Sequence, residues 1–217
     1  DLKGKNILVS AGPTVEPLDP VRFISNHSSG KMGYAIARAA EKRGGQVTLV
    51  SGPVSLNAPV GVECLCVQTC EEMATQMLAN FDQADIIIKV AAVADYKPLD
   101  PKAGKIKKKE NDKDLSILMT QNPDILKLLG KKKTKGQFLV GFAAETDDLE
   151  KNARLKMEKK NLDMIAANIV GSSDSGFKAD TNKVKLFFRD GSSFDIPLMG
   201  KDQVANILID QVIEKME

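Results

Sequence analysis

The sequence predicts an α/β domain of Rossmann-like type: an open, mostly parallel sheet with helices on both faces. Apolar runs alternate with helical patterns along the chain, the order expected when parallel strands are joined by crossover helices. The first run, Asn6-Ile-Leu-Val-Ser10, leads through a glycine-bearing loop into a helix, an arrangement that offers backbone N–H groups and a positive helix end to phosphate. A length of 217 residues fits one large domain, which buries roughly 70% of its unfolded surface and needs neither disulfide nor structural metal.

Asn6–Ser10 is the first buried strand and Ala11–Ser29 a long loop. Lys31–Arg43 is a helix with a small apolar face of Met32, Ala35, Ile36, Ala39 and Ala40, stopped by Gly44 and Gly45. Gln46–Val50 is the second strand; others are expected at Val62–Val67, Ile86–Val93, Phe138–Ala143 and Met164–Ala167. Helices are expected at Glu71–Asn80, Pro123–Leu129, Asp148–Lys160 and Asp202–Lys215. Asn122 reads as the N-cap of the second of these, with Pro123 at its first position. Lys183–Phe188 and Ser193–Ile196, joined through Asp190-Gly191, read as a C-terminal β-hairpin. Tyr96–Asp114 fits no element. It is rich in Lys, Pro and Gly and reads as a mobile loop between ordered strands.

Composition narrows the function. Charged residues are 28% and the formal net charge is +2, which disfavours a protein that binds a polyanion over its whole surface. No apolar run reaches the ~18 residues of a membrane span, and no signal-peptide pattern opens the chain. Cys64, Cys66 and Cys70 are odd in number and clustered, so a reducing cytoplasm is the simplest setting. His27 is the only histidine and leaves zinc short of a convincing ligand set. The chain opens at Asp1 without Met and reads as a fragment of something longer.

The long loop holds two candidate phosphate-binding segments, Ala11-Gly12-Pro13-Thr14 and Ser28-Ser29-Gly30-Lys31-Met32-Gly33. A loop of this length inside a compact domain points to function, although its glycines also suit a tight turn. Two familiar motifs fail. A P-loop needs Gly where Ser25 stands and Ser or Thr where Met32 stands. A dinucleotide fold needs an acid at the end of the second strand, which instead runs into Ser51-Gly52-Pro53.

The run Ser10-AGPTVEPLDPVRFISNHSSGKMG-Tyr34 closely resembles the opening of bacterial phosphopantothenoylcysteine synthetases. So do AAVADY at Ala91–Tyr96, KIKK at Lys105–Lys108, NPDI at Asn122–Ile125, GFAAET at Gly141–Thr146 and KNLDMIAAN at Lys160–Asn168. The motifs come in family order and span Ile7 to about Asn182. The resemblance implies that CTP, with Mg2+, activates the carboxylate of 4′-phosphopantothenate as an acyl-cytidylate, which the amine of cysteine then attacks. It also implies a homodimer and, from Asp1-Leu-Lys-Gly-Lys-Asn6, an upstream flavin-dependent decarboxylase domain.

The resemblance gives Gly12, Ser28, Gly30, Gly33, Asp95, Asn122, Pro123, Asp124, Ile125, Leu126, Phe142 and Asn168 to the nucleotide. Asn26, Ala91 and Ala92 fall to the acid substrate, with Asn26 donating to carbonyl and phosphoryl oxygens of the intermediate. The two alanines close a strand at its carboxyl end, where open α/β sheets bind ligands. Arg22 would hold an anionic group, by this reading across a dimer interface; a surface ion pair is the competing role. Lys156 and Lys160 share a stripe with Leu149 and Ala153, where two ammoniums repel unless an anion lies between them, and the resemblance makes that anion the triphosphate. Lys105 sits on the Tyr96–Asp114 flap, flanking Ile106 with Lys107, and is expected to close over CTP. Lys89 departs from the family pattern. It interrupts a buried apolar strand, where its charge is costly unless an acid or a phosphate pairs with it.

Two rivals stand beside this reading. An NAD(P)-linked reductase would use the same sheet but lacks the dinucleotide fingerprint. A nucleic-acid-binding module would use Lys102–Lys109 as a basic arm, but that arm has no interleaved aromatics.

Overall fold

In the computed structural model the described residues are 1–107, 114–145, 148–169 and 179–216. The chain runs β1 (Asn6–Ala11), β2 (Val15–Pro17), β3 (Phe23–Ser25), α1 (Lys31–Lys42), β4 (Gln46–Ser51), β5 (Glu63–Cys66), α2 (Cys70–Ala79) and β6 (Ile86–Lys89). It continues with β7 (Tyr96–Pro98), β8 (Met119–Gln121), α3 (Ile125–Lys132), β9 (Phe138–Glu145), α4 (Leu149–Lys159) and β10 (Met164–Ile169). The hairpin β11 (Thr181–Phe188) and β12 (Ser193–Gly200) precedes α5 (Lys201–Met216).

Eight strands form the central sheet in the order β12-β11-β10-β9-β6-β1-β4-β5. The run from β5 to β10 is parallel, and the C-terminal hairpin adds antiparallel strands at one edge. Successive strand residues point to opposite faces, and each strand divides its apolar side chains accordingly. Ile7, Val9, Leu49, Ile88 and Val140 meet α1 and α5 on one face. Leu8, Val50, Ile87, Leu139 and Ile165 meet α2, α3 and α4 on the other. The expected two-faced α/β architecture is therefore present.

After β1 the chain builds outward through β4 and β5, then returns to lay β6 on the other side of β1. The carboxyl ends of β1 and β6 thus part in opposite directions, the topological switch point where such sheets bind ligands.

The structure corrects four local expectations. The Ala11–Ser29 segment is not all loop, because β2 and β3 pair as a small hairpin. Tyr96–Asp114 is not wholly without an element, because Tyr96–Pro98 pairs with Met119–Gln121; residues 108–113 of that segment, including Lys108 and Lys109, lie outside the described residues. The strand expected over Ile86–Val93 ends at Lys89, since the backbone of 90–94 turns to bond the loop after β1. The N-cap of α3 is Asp124, whose carboxylate accepts from Lys127 N. Asn122 is drawn away instead, its amide donating to Ala94 O at 2.9 Å.

Candidate active site

Hydrogen bonds between the first loop and the segment after β6 build the floor of the site. Ser10 Oγ accepts from Val90 N and Ala91 N, each at 3.2 Å. Ala92 N donates to Gly12 O at 3.0 Å, and Thr14 N donates back to Ala92 O at 3.3 Å. Thr14 Oγ1 accepts from Ala94 N at 3.0 Å. Ser10 and Thr14 are buried, so these hydroxyls satisfy backbone groups that would otherwise stand unpaired. Asn26 reaches over from the end of the β2–β3 hairpin and donates Nδ2 to Ala92 O at 2.9 Å.

Two adjoining cavities open on this floor. The first, of about 400 Å³, is lined by Gly12, Asn26, Ser28, Gly30, Gly33, Ala91, Ala92, Asp95, Phe142 and Asn168 among others. Helix α1 starts here, with Gly30 at its N-cap at φ of 77°, no side-chain cap and no acid in its first turn, so its positive end faces the cavity. The second, of about 520 Å³, is lined by Asp95, Asn122, Pro123, Asp124, Ile125, Leu126, Phe142, Lys156 and Lys160 with their neighbours. Lys89, Val93, Asp95 and Phe142 belong to both walls.

Charge in the second cavity is organised around Asp124. Lys160 Nζ lies 2.9 Å from its Oδ2. Burial raises the Asp124 pKa, but hydrogen bonds from Lys160 and Lys127 N outweigh it and leave the carboxyl below its ordinary value. Asn122 Oδ1 is a buried polar atom without a hydrogen-bond partner among the described residues, the kind of acceptor that a ligand amine or hydroxyl satisfies. The α3–α4 approach holds this wall in place. A Cβ on Gly130 would lie 1.8 Å from the Lys160 carbonyl oxygen, so only glycine allows that packing.

With this geometry in view, residues 2–216 match the family described as the DNA/pantothenate metabolism flavoprotein C-terminal domain. The chain belongs to that family. It is 48% identical over 218 residues to the coenzyme A biosynthesis bifunctional protein CoaBC of Escherichia coli (strain K12), covering 100% of this chain and 53% of that protein. It is also 48% identical over 212 residues to CoaBC of Bacillus subtilis (strain 168), covering 97% of this chain and 52% of that one. The chain therefore spans about half the length of these curated relatives. Among solved structures it resembles the C-terminal domain of CoaBC, with a TM-score of 0.83, 40% identity, and coverage of 97% of this chain and 95% of that one. Neither the reductase nor the nucleic-acid rival gains support from these likenesses.

Two sequence-expected residues of this flavoprotein C-terminal domain line neither cavity. Arg22 is tied within its own chain to Asp19 and to the Ile106 carbonyl, which is the ion-pair role weighed against anion binding. Lys105 is exposed, while Ile106 is half-buried against an apolar hollow with Leu18, Pro98 and Leu118. Conversely, Asn182 and Lys201 line the first cavity and were not singled out by their sequence, whereas Lys31, which lines it with them, belongs to the second candidate phosphate-binding segment. Lys201 is buried at the start of α5; a lysine opening an amphipathic helix carries no signal of that.

Proposed function

We propose that the chain is a phosphopantothenate–cysteine ligase of coenzyme A biosynthesis, with CTP as the activating nucleotide. In the first half-reaction a carboxylate oxygen of 4′-phosphopantothenate attacks the α-phosphorus of CTP. The bond to the bridging oxygen breaks and pyrophosphate leaves with its electron pair. In the second, the amine of cysteine attacks the carbonyl carbon of the acyl-cytidylate, the carbon–oxygen bond to phosphate breaks, CMP leaves, and the amine gives its proton to solvent.

The observation that carries this reading is convergence. Residues from five of the six motifs, far apart in the chain, meet on two adjoining cavities at the switch point of the sheet. The names of the relatives, coenzyme A biosynthesis proteins, support the same assignment. The second cavity suits the nucleotide: Asp124 and Asn122 can accept from its polar edges, and Lys156 and Lys160 offset phosphate charge. Ala91 and Ala92 admit the acid close to the backbone, beside Asn26. Lys105 closes from the 96–114 segment and follows charge onto the leaving pyrophosphate.

Magnesium belongs to the proposal as a nucleotide-borne ion. Among the described residues no three His, Cys, Asp or Glu side chains converge as a metal cage, and Asp95 is the carboxylate shared by both walls. When bound, the ion offsets triphosphate charge.

A homodimer is also proposed. Val21, Phe23, Leu99, Leu115 and Leu118 are exposed on and beside the two small hairpins, an apolar surface of the kind a second copy covers. The full-length protein is proposed to carry a flavin-dependent decarboxylase upstream, in keeping with bifunctional relatives about twice this length. No described helix is long and apolar enough to cross a membrane.

Steady-state pyrophosphate release tests the assignment. It should require CTP, phosphopantothenate and cysteine together, with a higher specificity constant for CTP than for ATP. Turnover independent of the acid, or ATP equal to CTP, would contradict the corresponding part.

A further inference from the structure

Lys89 ends β6 at the centre of the sheet, with Ser10 of β1 on one side and Gly141 of β9 on the other. Its side chain is half-buried and lies in the wall shared by the two cavities. Among the described residues its ammonium makes one hydrogen bond, to Ala91 O at 2.6 Å, and no ion pair. An ammonium has three donors, so two are left facing the junction. Retaining an uncompensated charge in such a place is expensive.

We propose that Lys89 is a phosphate-binding residue, and that a polyphosphate group lies across it from one cavity to the other. The inference rests on the nucleotide reading given above and deepens it, by naming the cation that joins the two cavities and the group it takes. The surroundings favour an anion there. The ammonium of Lys160 faces Lys89 from the end of α4, and Lys156 lines the second cavity from the same helix. Lys31 and Lys201 line the first cavity. Among the described residues, the acids facing Lys89 are Asp124, already paired with Lys160, and Asp95. Cys70, at the start of α2, also faces it, but burial pushes that thiol up to about 12 and keeps it neutral.

Burial and the neighbouring Lys160 ammonium bring the Lys89 pKa down to about 8. A bound polyphosphate holds the proton on Lys89, because it interacts with the charged form alone. Affinity is therefore full below pH 8 and falls as pH rises above 8, until the raised pKa of the complex is passed. A lysine that only shapes the 89–92 turn through Ala91 O produces no such profile.

The test is calorimetric binding of CTP, and separately of inorganic tripolyphosphate, from pH 6.5 to 9.5. It compares wild type, Lys89→Met and Lys89→Arg, with melting curves to verify folding. Wild type should weaken above pH 8. Lys89→Met should bind about tenfold to a hundredfold more weakly at pH 7, the range of one charge-assisted hydrogen bond, and show no break near pH 8. Lys89→Arg, which stays charged throughout, should keep more of the affinity than Lys89→Met, also without the break. Unchanged affinity and pH profile in Lys89→Met, for both probes, overturns the inference. Tripolyphosphate binding that depends on Lys89 without any CTP binding sinks the nucleotide reading and leaves the inference standing. If the wild type binds neither probe, both fail.

Discussion

The carboxylate of Asp19 grips the guanidinium of Arg22, with Nε 3.0 Å from Oδ2. The same oxygen accepts from Ile106 N at 3.1 Å, and Arg22 Nη2 donates to Ile106 O at 2.9 Å. Asp19 is buried and Arg22 exposed. The hydrogen bond from Arg22 holds the Asp19 carboxyl far below the ordinary carboxylate range. The turn between β2 and β3 and the Lys105 segment are thereby fastened to each other.

Lys105 is expected to act through this fastening. Lys105→Gln should slow acyl-cytidylate formation at least about a hundredfold, the scale of a lost transition-state contact. Asp19→Asn keeps the shape but weakens the clasp, and should slow the same step about tenfold. The double variant should be no slower than Lys105→Gln alone, since both remove one function. Rapid-quench measurement of all three gives the answer; multiplied effects would reduce Asp19 to a structural role.

Asn26→Asp should slow the second half-reaction more than the first. The amide that now donates to Ala92 O would become a carboxylate facing a carbonyl, and its N–H donors would be lost where charge develops during amine attack. A loss of about 3 kcal/mol is the scale of one oxyanion donor. Accumulated acyl-cytidylate in a quenched reaction agrees with this. Equal loss in both half-reactions counts against it.

Gly130→Ala should weaken nucleotide binding from a distance. Its Cβ would drive into the Lys160 carbonyl, and overpacking of this kind costs about 1–3 kcal/mol. Displacing Lys160 also disturbs its pair with Asp124. A lowered melting temperature with KM for CTP raised more than kcat falls is the expected pattern. A variant with wild-type KM would show that this wall does not touch the nucleotide.

Lys89 carries a pH signature in stability as well. Its folded pKa of about 8 lies below the ordinary 10.5, so between those values the unfolded chain binds more protons. Stability should rise with pH through that window, by about 3 kcal/mol at most. Lys89→Met should abolish this contribution and melt higher than wild type at pH 7, by about 2–4 °C for each kcal/mol removed and so by about 10 °C at most. Melting curves without ligand from pH 6.5 to 10.5 check both points; a variant less stable than wild type at pH 7 contradicts the assignment of an uncompensated charge.

The sheet was legible because burial on two faces leaves a plain mark. Ile7-Leu8-Val9 is apolar throughout, since each residue meets one helix layer or the other. The hairpins β2–β3 and β7–β8 were not legible. Three-residue strands have no period to read, and what holds them lies elsewhere in the chain, as when Val15 N donates to Gln68 O. The start of α3 misled for a related reason: Asn122 and Asp124 are both good caps, and the choice between them was made by Ala94 O, 28 residues away. In the site, motif residues stood out by their type in a loop. Lys201 and Asn182 reach the first cavity from α5 and the edge hairpin, a juxtaposition that only the sheet order creates.

The central claim is activation of a carboxylate as an acyl-nucleotide before amine attack. It is tested most directly by mixing enzyme in excess with phosphopantothenate and α-labelled CTP, cysteine withheld, and quenching within one turnover. The account predicts about one pyrophosphate per acid, with the α-label attached to the acid and released as CMP only when cysteine is added. Formation of CDP and phosphate, or no pyrophosphate until cysteine is present, would contradict it.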